Sequence, residues 1–320
     1  MIGPKPPHAL MRPGIVLPFL LVALIWGSTW LVIKGQIGLA PESWSVTYRF
    51  AIATVGMFLL AAFQRRGFRM TLGGHLMAIA IGLSQFFLNF NFVYRAEIHL
   101  TSGLVAVIFA LLMLPNAIFA RIFLGQEITT RFLAGTGLAL VGIACLLVHE
   151  YRAAPPDGMV ALGVFFALCG ILSASTANVL QASETARLRP MVLMLAWAML
   201  WGTLADAAFA WTVAGAPVFP TSREYWLGVA YLGIFGSVVT FPLYFGLVRQ
   251  LGPGRAAYNG VLVPVVAMLL STLFEDFRWS SLAIAGAAVA LLGMLVALRA
   301  RSLPAARSIQ DSAIPRNPLR

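Results

Sequence analysis

One pattern of apolar runs occurs twice along this chain, and each copy holds an odd number of stretches long enough to cross a bilayer. A hydrocarbon slab of about 30 Å takes about 20 helical residues to cross. By that criterion the first copy has spans at roughly 14–34, 43–63, 72–94, 99–120 and 129–148, and the second at roughly 159–182, 190–214, 225–247, 255–274 and 279–299. After five crossings the chain lies on the far side of the membrane, so the second copy enters upside down relative to the first. The expected fold is all-α and integral to the membrane, with ten transmembrane helices as two inverted five-helix repeats. Such repeats place a binding site near the bilayer midplane, between the halves.

Composition supports this reading and removes others. Hydrophobic residues make up 60% of the 320 positions and charged ones only 10%, far less charge than a soluble domain of this length carries. A net charge of +11 would point to nucleic acid in a soluble protein. Here the basic residues stand in short loops and tails, so they report membrane orientation and no nucleic-acid partner is expected. Cys145 and Cys169 lie inside apolar runs and form no pair motif or metal spacing, so they read as inert thiols. Lys5 and Arg12 precede an apolar run from Ile15 to Ile33, but that run is of full span length and leads into further spans. It is therefore read as a first span and not as a cleavable leader.

Lys and Arg also set the topology. With a cytoplasmic N-terminus, the cytoplasmic segments hold Lys5, Arg12, Arg65, Arg66, Arg69, Arg121, Arg131, Arg187, Arg189, Arg249, Arg255 and the C-terminal arginines. The outer side holds only Lys34, Arg95, Arg152, Arg223 and Arg278. That bias predicts both termini inside. The expected organisation is a cytoplasmic tail over 1–13, a first repeat over 14–150, a second over 151–299, and a disordered basic cytoplasmic tail over 300–320. The polar turn from His149 to Gly158 reads as the linker between repeats.

The repetition extends to individual residues. Leu100-Thr101-Ser102-Gly103 leads into a helix with Pro115, then Gly125-Gln126-Glu127, then a helix with Gly135 and Gly142. About 150 residues later, Leu251-Gly252-Pro253-Gly254 leads into a helix with Pro264, then Glu275-Asp276, then a helix with Gly286 and Gly293. Close helix packing accounts for the four glycines. Glu127 and Glu275 read as caps or anchors of the helix that follows each.

At these residues the chain resembles the drug/metabolite transporter superfamily, in its EamA-type branch of ten-helix exporters. Trp26-Gly27-Ser28-Thr29-Trp30, Arg49-Phe50, Thr101-Ser102 and the two Pro-to-Glu runs carry the resemblance, which covers nearly all of residues 14–299. Gln126-Glu127 stands where the family usually has Gly-Glu, and Phe274-Glu275-Asp276 is a loose second copy. Within the branch the chain is similar to bacterial amino-acid exporters, including those for aromatic amino acids. The resemblance implies export of small molecules across a bacterial inner membrane.

Polar groups inside a bilayer are costly and usually face protein or a watery cavity. Pro115 and Pro264 each remove a backbone N–H and free the carbonyl four residues earlier, at Leu111 and Gly260. They line a pathway, hinge a gate, or only kink their helices. Gln85 and Asn89 are four apart and share a helical face among Phe86, Phe87, Phe90 and Phe92. Amides and rings suit the two ends of a small amphiphilic solute, although interhelical hydrogen bonding explains the amides too. Ser175 and Asn178 occupy the sixth span, the counterpart of the Trp26–Trp30 segment, and serve either a cavity or close packing. Trp26 and Trp30 share one face, and Trp26 lies too deep for an interfacial belt, whereas Tyr244 and Tyr258 read as belt residues. Arg49 attracts a carboxylate, pairs with Glu42, or snorkels. Asp206 relays protons or pairs with Lys34 or Arg49.

His8, His75, His99 and His149 are scattered over tails and loops, and no phosphate-cradling glycine loop stands before a Lys-Ser/Thr pair. No catalytic constellation, metal or cofactor is expected, and transport would not be driven by ATP. The expected partners are a small-molecule substrate and membrane lipids, and one chain carrying both halves needs no oligomer. Three functions remain: export of amino acids or similar metabolites, the same fold moving drugs or nucleotide sugars, and a membrane enzyme or scaffold. The polar third and sixth spans favour transport.

Overall fold

The computed structural model describes residues 13–65, 67–125, 127–153, 158–251 and 259–301. Expectations placed on Lys5, His8, Arg12, Arg66, Gln126, Gly252-Pro253-Gly254, Arg255, Tyr258 and the tail beyond Arg301 lie outside the described residues. Among the described residues, eight helices are long and apolar enough to cross a bilayer, and two shorter apolar helices follow them. In chain order they are α1 (Pro13–Lys34), α2 (Glu42–Phe63), α3 (Leu72–His99), α4 (Ser102–Phe123), α5 (Thr130–Ala153), α6 (Val160–Ala182), α7 (Met191–Ala214), α8 (Arg223–Tyr244), α9 (Asn259–Phe274) and α10 (Ser281–Arg301). The protein is an all-α, multi-pass membrane protein.

Polar side chains at the helix starts satisfy donors that lipid cannot. Thr71 Oγ1 accepts from Gly74 N at 3.3 Å ahead of α3, Ser222 Oγ from Tyr225 N at 3.1 Å ahead of α8, and Ser280 Oγ from Ala283 N at 3.1 Å ahead of α10. Gly125 ends α4 in the left-handed region at φ 66°, a conformation that costs a residue without Cβ little.

The two sets of five helices interleave in an exchanged pattern. α2 packs on α7, α5 on α10, and α4 on α9, each helix against its own counterpart. α1 packs on α8 and α9, and α6 packs on α3 and α4. Every main contact of one half is thus matched by the same contact with the halves swapped, as a two-fold relation between repeats requires. α5 and α10 meet through the predicted glycines: a Cβ on Gly135 would stand 2.3 Å from Ala297 N, and one on Gly293 would stand 2.3 Å from Ala139 N.

Two boundaries and the placement of three histidines differ from the sequence reading. α3 continues to His99 instead of ending near Tyr94, and so carries Glu97 into the protein. α5 runs through His149 to Ala153, so the first part of the expected linker is helical. His75, His99 and His149 lie on helices, not in loops. The prolines also behave differently from each other. Ahead of Pro115 the chain tightens into a 3-10 turn at Ala110–Leu112, where the freed Leu111 carbonyl lies. Pro264 sits inside the described helix α9 with no such turn.

Candidate functional site

α3 and α8, the third helix of each repeat, both widen into π-helical turns, at Gly82–Leu88 and Ile234–Val239. Such turns leave the regular hydrogen-bond ladder and recur at functional sites. The pair falls at equivalent positions about 150 residues apart. Around them the halves meet through aromatic side chains. Trp26 Nε1 donates to Gly236 O at 3.3 Å, beside the second π turn. From Trp26 a run of rings passes to Phe241 (5.7 Å between centroids), Phe86 (5.8 Å), Phe50 (5.1 Å) and Phe90 (4.8 Å). Trp30 packs on Phe109 at 5.1 Å, and these two rings touch both hydrophobic cores of the protein. A Cβ on Gly170 would stand 2.8 Å from Phe109 and 3.5 Å from Asn89 Oδ1, so α1, α3, α4 and α6 converge here.

Polar atoms without partners stand on the helices that build this region. Arg49 is 2% exposed, and its guanidinium carbon lies 4.2 Å from the Phe90 ring centre. Its Nε and Nη1 have no hydrogen-bond partner, and neither do Asn89 Oδ1 and Ser175 Oγ. Gln85 is buried inside the first π turn. Asn178 Nδ2 reaches Asn116 Oδ1 at 3.4 Å, joining α6 to α4 one residue after Pro115. An unsatisfied buried polar group is rare enough to need a reason. Several together on aromatic walls offer donors and acceptors to a small amphiphilic molecule.

The structure does not gather every predicted residue there. Arg49 neither snorkels nor pairs with Glu42; its guanidinium points inward onto Phe90 and Tyr94. Asp206 does not pair with Lys34 or Arg49. Its Oδ1 accepts from Asn91 Nδ2 at 2.7 Å, tying α7 to α3, while Lys34 is engaged by backbone carbonyls. Pro264 lines a separate apolar cavity of about 280 Å³ with Val107, Met268, Leu291 and Met294. Tyr244 packs on Trp26 at 5.0 Å.

A second polar cluster, which the sequence reading missed, lies at the bundle end holding Lys34. Glu275 does not cap the helix after it. It accepts from Ser102 N at 3.2 Å and from Ser102 Oγ, and so caps α4 of the other repeat. Glu150 Oε1 accepts from Thr101 N at 3.3 Å. Two carboxylates thus hold the start of α4, where the exposed N–H groups and the helix dipole favour negative charge. Lys34 Nζ donates to Leu100 O at 2.8 Å and also to Glu97 O, and so closes the end of α3. Glu97 is fully buried, with neither carboxyl oxygen hydrogen-bonded. The signal available in the sequence was an acid two residues after Arg95, on a helix read as ending too early.

Known proteins match this chain along its length. The model of the EamA-like transporter family matches residues 13–148 and again residues 161–299. Protein PagO of Salmonella typhimurium is 22% identical over 95% of this chain and 99% of its own length. The uncharacterized inner membrane transporter YedA of Escherichia coli is 29% identical over 84% of this chain and 87% of its own. A probable amino-acid metabolite efflux pump of Escherichia coli is 23% identical over 87% of this chain and 92% of its own. A solved crystal structure shares the fold with a TM-score of 0.65 at 21% identity, over 90% of this chain and 98% of that one.

Proposed function

This chain belongs to the EamA-like transporter family, and from that premise we propose that it exports amino acids, aromatic ones included, or related small metabolites by alternating access. The halves, 14–150 and 151–299, rock about the aromatic contact between the two π turns. The protein sits in a bacterial inner membrane with both termini in the cytoplasm, as the charge bias and the name of the YedA relative support. The observation that carries the substrate class is Arg49: a buried guanidinium with two free nitrogens on the face of Phe90. In a low-dielectric site those donors favour a carboxylate, while Asn89 Oδ1 and Ser175 Oγ accept from an ammonium or amide. Rings from Trp26 to Phe90 hold an apolar side chain. The name of the efflux-pump relative agrees with this class.

Purified protein in liposomes should accelerate flux of labelled L-phenylalanine or another amino acid in a screen. Arg49→Gln and Asn89→Leu should cut that flux while both variants remain monodisperse. Normal flux in both would remove the site from this position.

A further inference from the structure

The polar cluster at the Lys34 end has no role in binding a solute at the midplane, and its centre is Glu97. This carboxyl is fully buried, and neither oxygen has a hydrogen-bond partner. An ionised carboxylate in that position would carry a desolvation cost of several kcal/mol, on the order of what an unpaired buried ion costs. Groups able to relieve it stand close by but are turned elsewhere. Lys34 on α1 directs its ammonium to the backbone carbonyls of Glu97 and Leu100. Arg49 on α2 lies on Phe90. Tyr94, one turn earlier on α3, donates to Gln36 Oε1 at 2.8 Å. Glu275 after α9 and Glu150 on α5 are held by the start of α4, and their negative charge disfavours a third carboxylate. α6, which packs along this part of α3, offers only Cys169 among ionisable side chains. The arrangement is the one a neutral carboxylic acid can occupy.

We propose that Glu97 is a proton-binding site, and that its occupancy holds the Lys34 end of the transporter shut. With the proton bound, Lys34 stays on the two carbonyls that end α3, beside the Glu275–Ser102 contact between repeats. When the proton leaves to the cytoplasm, the carboxylate draws the Lys34 ammonium off those carbonyls and the clamp is undone. One proton entering from outside resets the shut form, so a proton gradient drives outward movement of the solute. This mechanism rests on the export reading above for its direction, but the proton site does not.

Two measurements separate the claims. Infrared spectra of the purified full-length protein at neutral pH should contain the C=O stretch of a buried carboxylic acid. That band is lost in Glu97→Gln and kept in Asp206→Asn. A band unchanged by Glu97→Gln overturns the proposal. Should that variant not fold, Glu97→Asp must shift the band, and an unshifted band is equally fatal. In liposomes, an inward proton gradient should accelerate export of labelled L-phenylalanine by wild type but not by Glu97→Gln, while exchange of that amino acid at equal pH persists in both. Gradient-driven flux equal in the two proteins, or flux driven by sodium at fixed pH, overturns it. If no amino acid moves in either protein, the export reading fails and the infrared result alone decides the proton site.

Discussion

The contact between α5 and α10 allows the packing of this fold to be tested with a single methyl group. A Cβ added at Gly142 would stand 2.2 Å from Ala290 N and 2.5 Å from Gly286 O. Both are backbone atoms, so no side chain can swing aside. Carbon contacts settle near 3.5–4 Å, so the helices must part by about 1 Å or more. Overpacking of this kind costs about 1–3 kcal/mol. Replacing glycine by alanine inside a helix returns about 1 kcal/mol through backbone entropy. Gly137 isolates that second effect: it lies on the same helix, is exposed, and has nothing within 4 Å of its Cβ position. Gly137→Ala should therefore melt above wild type. Gly142→Ala should melt below Gly137→Ala by the equivalent of about 1–3 kcal/mol, since the entropy gain cancels between them. A Cβ on Gly286 would stand 2.8 Å from Gly142 O across the same contact. The double variant Gly142→Ala/Gly286→Ala should then lose less than the sum, because helices already parted accept the second methyl. Thermal unfolding in one detergent, followed by tryptophan fluorescence, reads all five proteins, wild type and the single variant Gly286→Ala included. Coincident melting of Gly137→Ala and Gly142→Ala would refute close backbone approach as the reason for these glycines.

Three further outcomes follow from the polar contacts and the helix breaks. Asp206→Leu leaves one hydrogen of the Asn91 amide unpaired, the other being held by Phe87 O at 2.9 Å, and should destabilise the protein by about 1–3 kcal/mol, whereas Asp206→Asn keeps an acceptor for it and should melt within a few degrees of wild type. Glu275→Ala removes both bonds to Ser102 and should cost about 1–2 kcal/mol, the range of a lost helix cap; hydrogen-exchange mass spectrometry should show faster exchange in the first turn of α4, with Thr101 still held by Glu150. Pro115→Ala returns an N–H to the Leu111 carbonyl, so it should raise thermal stability while slowing amino-acid flux in liposomes.

The parts of this fold legible in the sequence were those set by solvent and by close contact. Apolar length fixed the spans, since lipid leaves no other partner for the backbone. Glycine spacing marked the α5–α10 contact, since only missing Cβ atoms let backbones approach that near. The π turns were not legible, because the glycines and polar residues of Gly82–Leu88 and Ile234–Val239 fit an ordinary α-helix as well as a widened one. Glu97 was missed through a boundary: three more residues of hidden helix turn a surface acid into a buried one. Asp206 and Glu275 were recognised as needing partners, but Asn91 and Ser102 are far away in sequence, and the packing of one half on the other decides such pairs. For Pro115 and Pro264 the missing N–H was evident, but not that only the first would tighten its helix.

That last asymmetry bears on mechanism. The helices of the two halves meet in matching pairs, so a feature present in one half and absent from its counterpart describes a state and not the architecture. α4 has a 3-10 turn before Pro115, while α9 runs through Pro264 without one. At the Lys34 end, Glu275 of the second half holds the start of α4. Under rocking of inverted repeats, the opposite access state is reached when each half takes the conformation of the other. The break then has to move from α4 to α9, where Gly260 carries the carbonyl that Pro264 cannot satisfy. A proline in each fourth helix of the repeats lowers the cost of that exchange, because the N–H that a regular helix would donate to the Leu111 or Gly260 carbonyl is absent in both conformations.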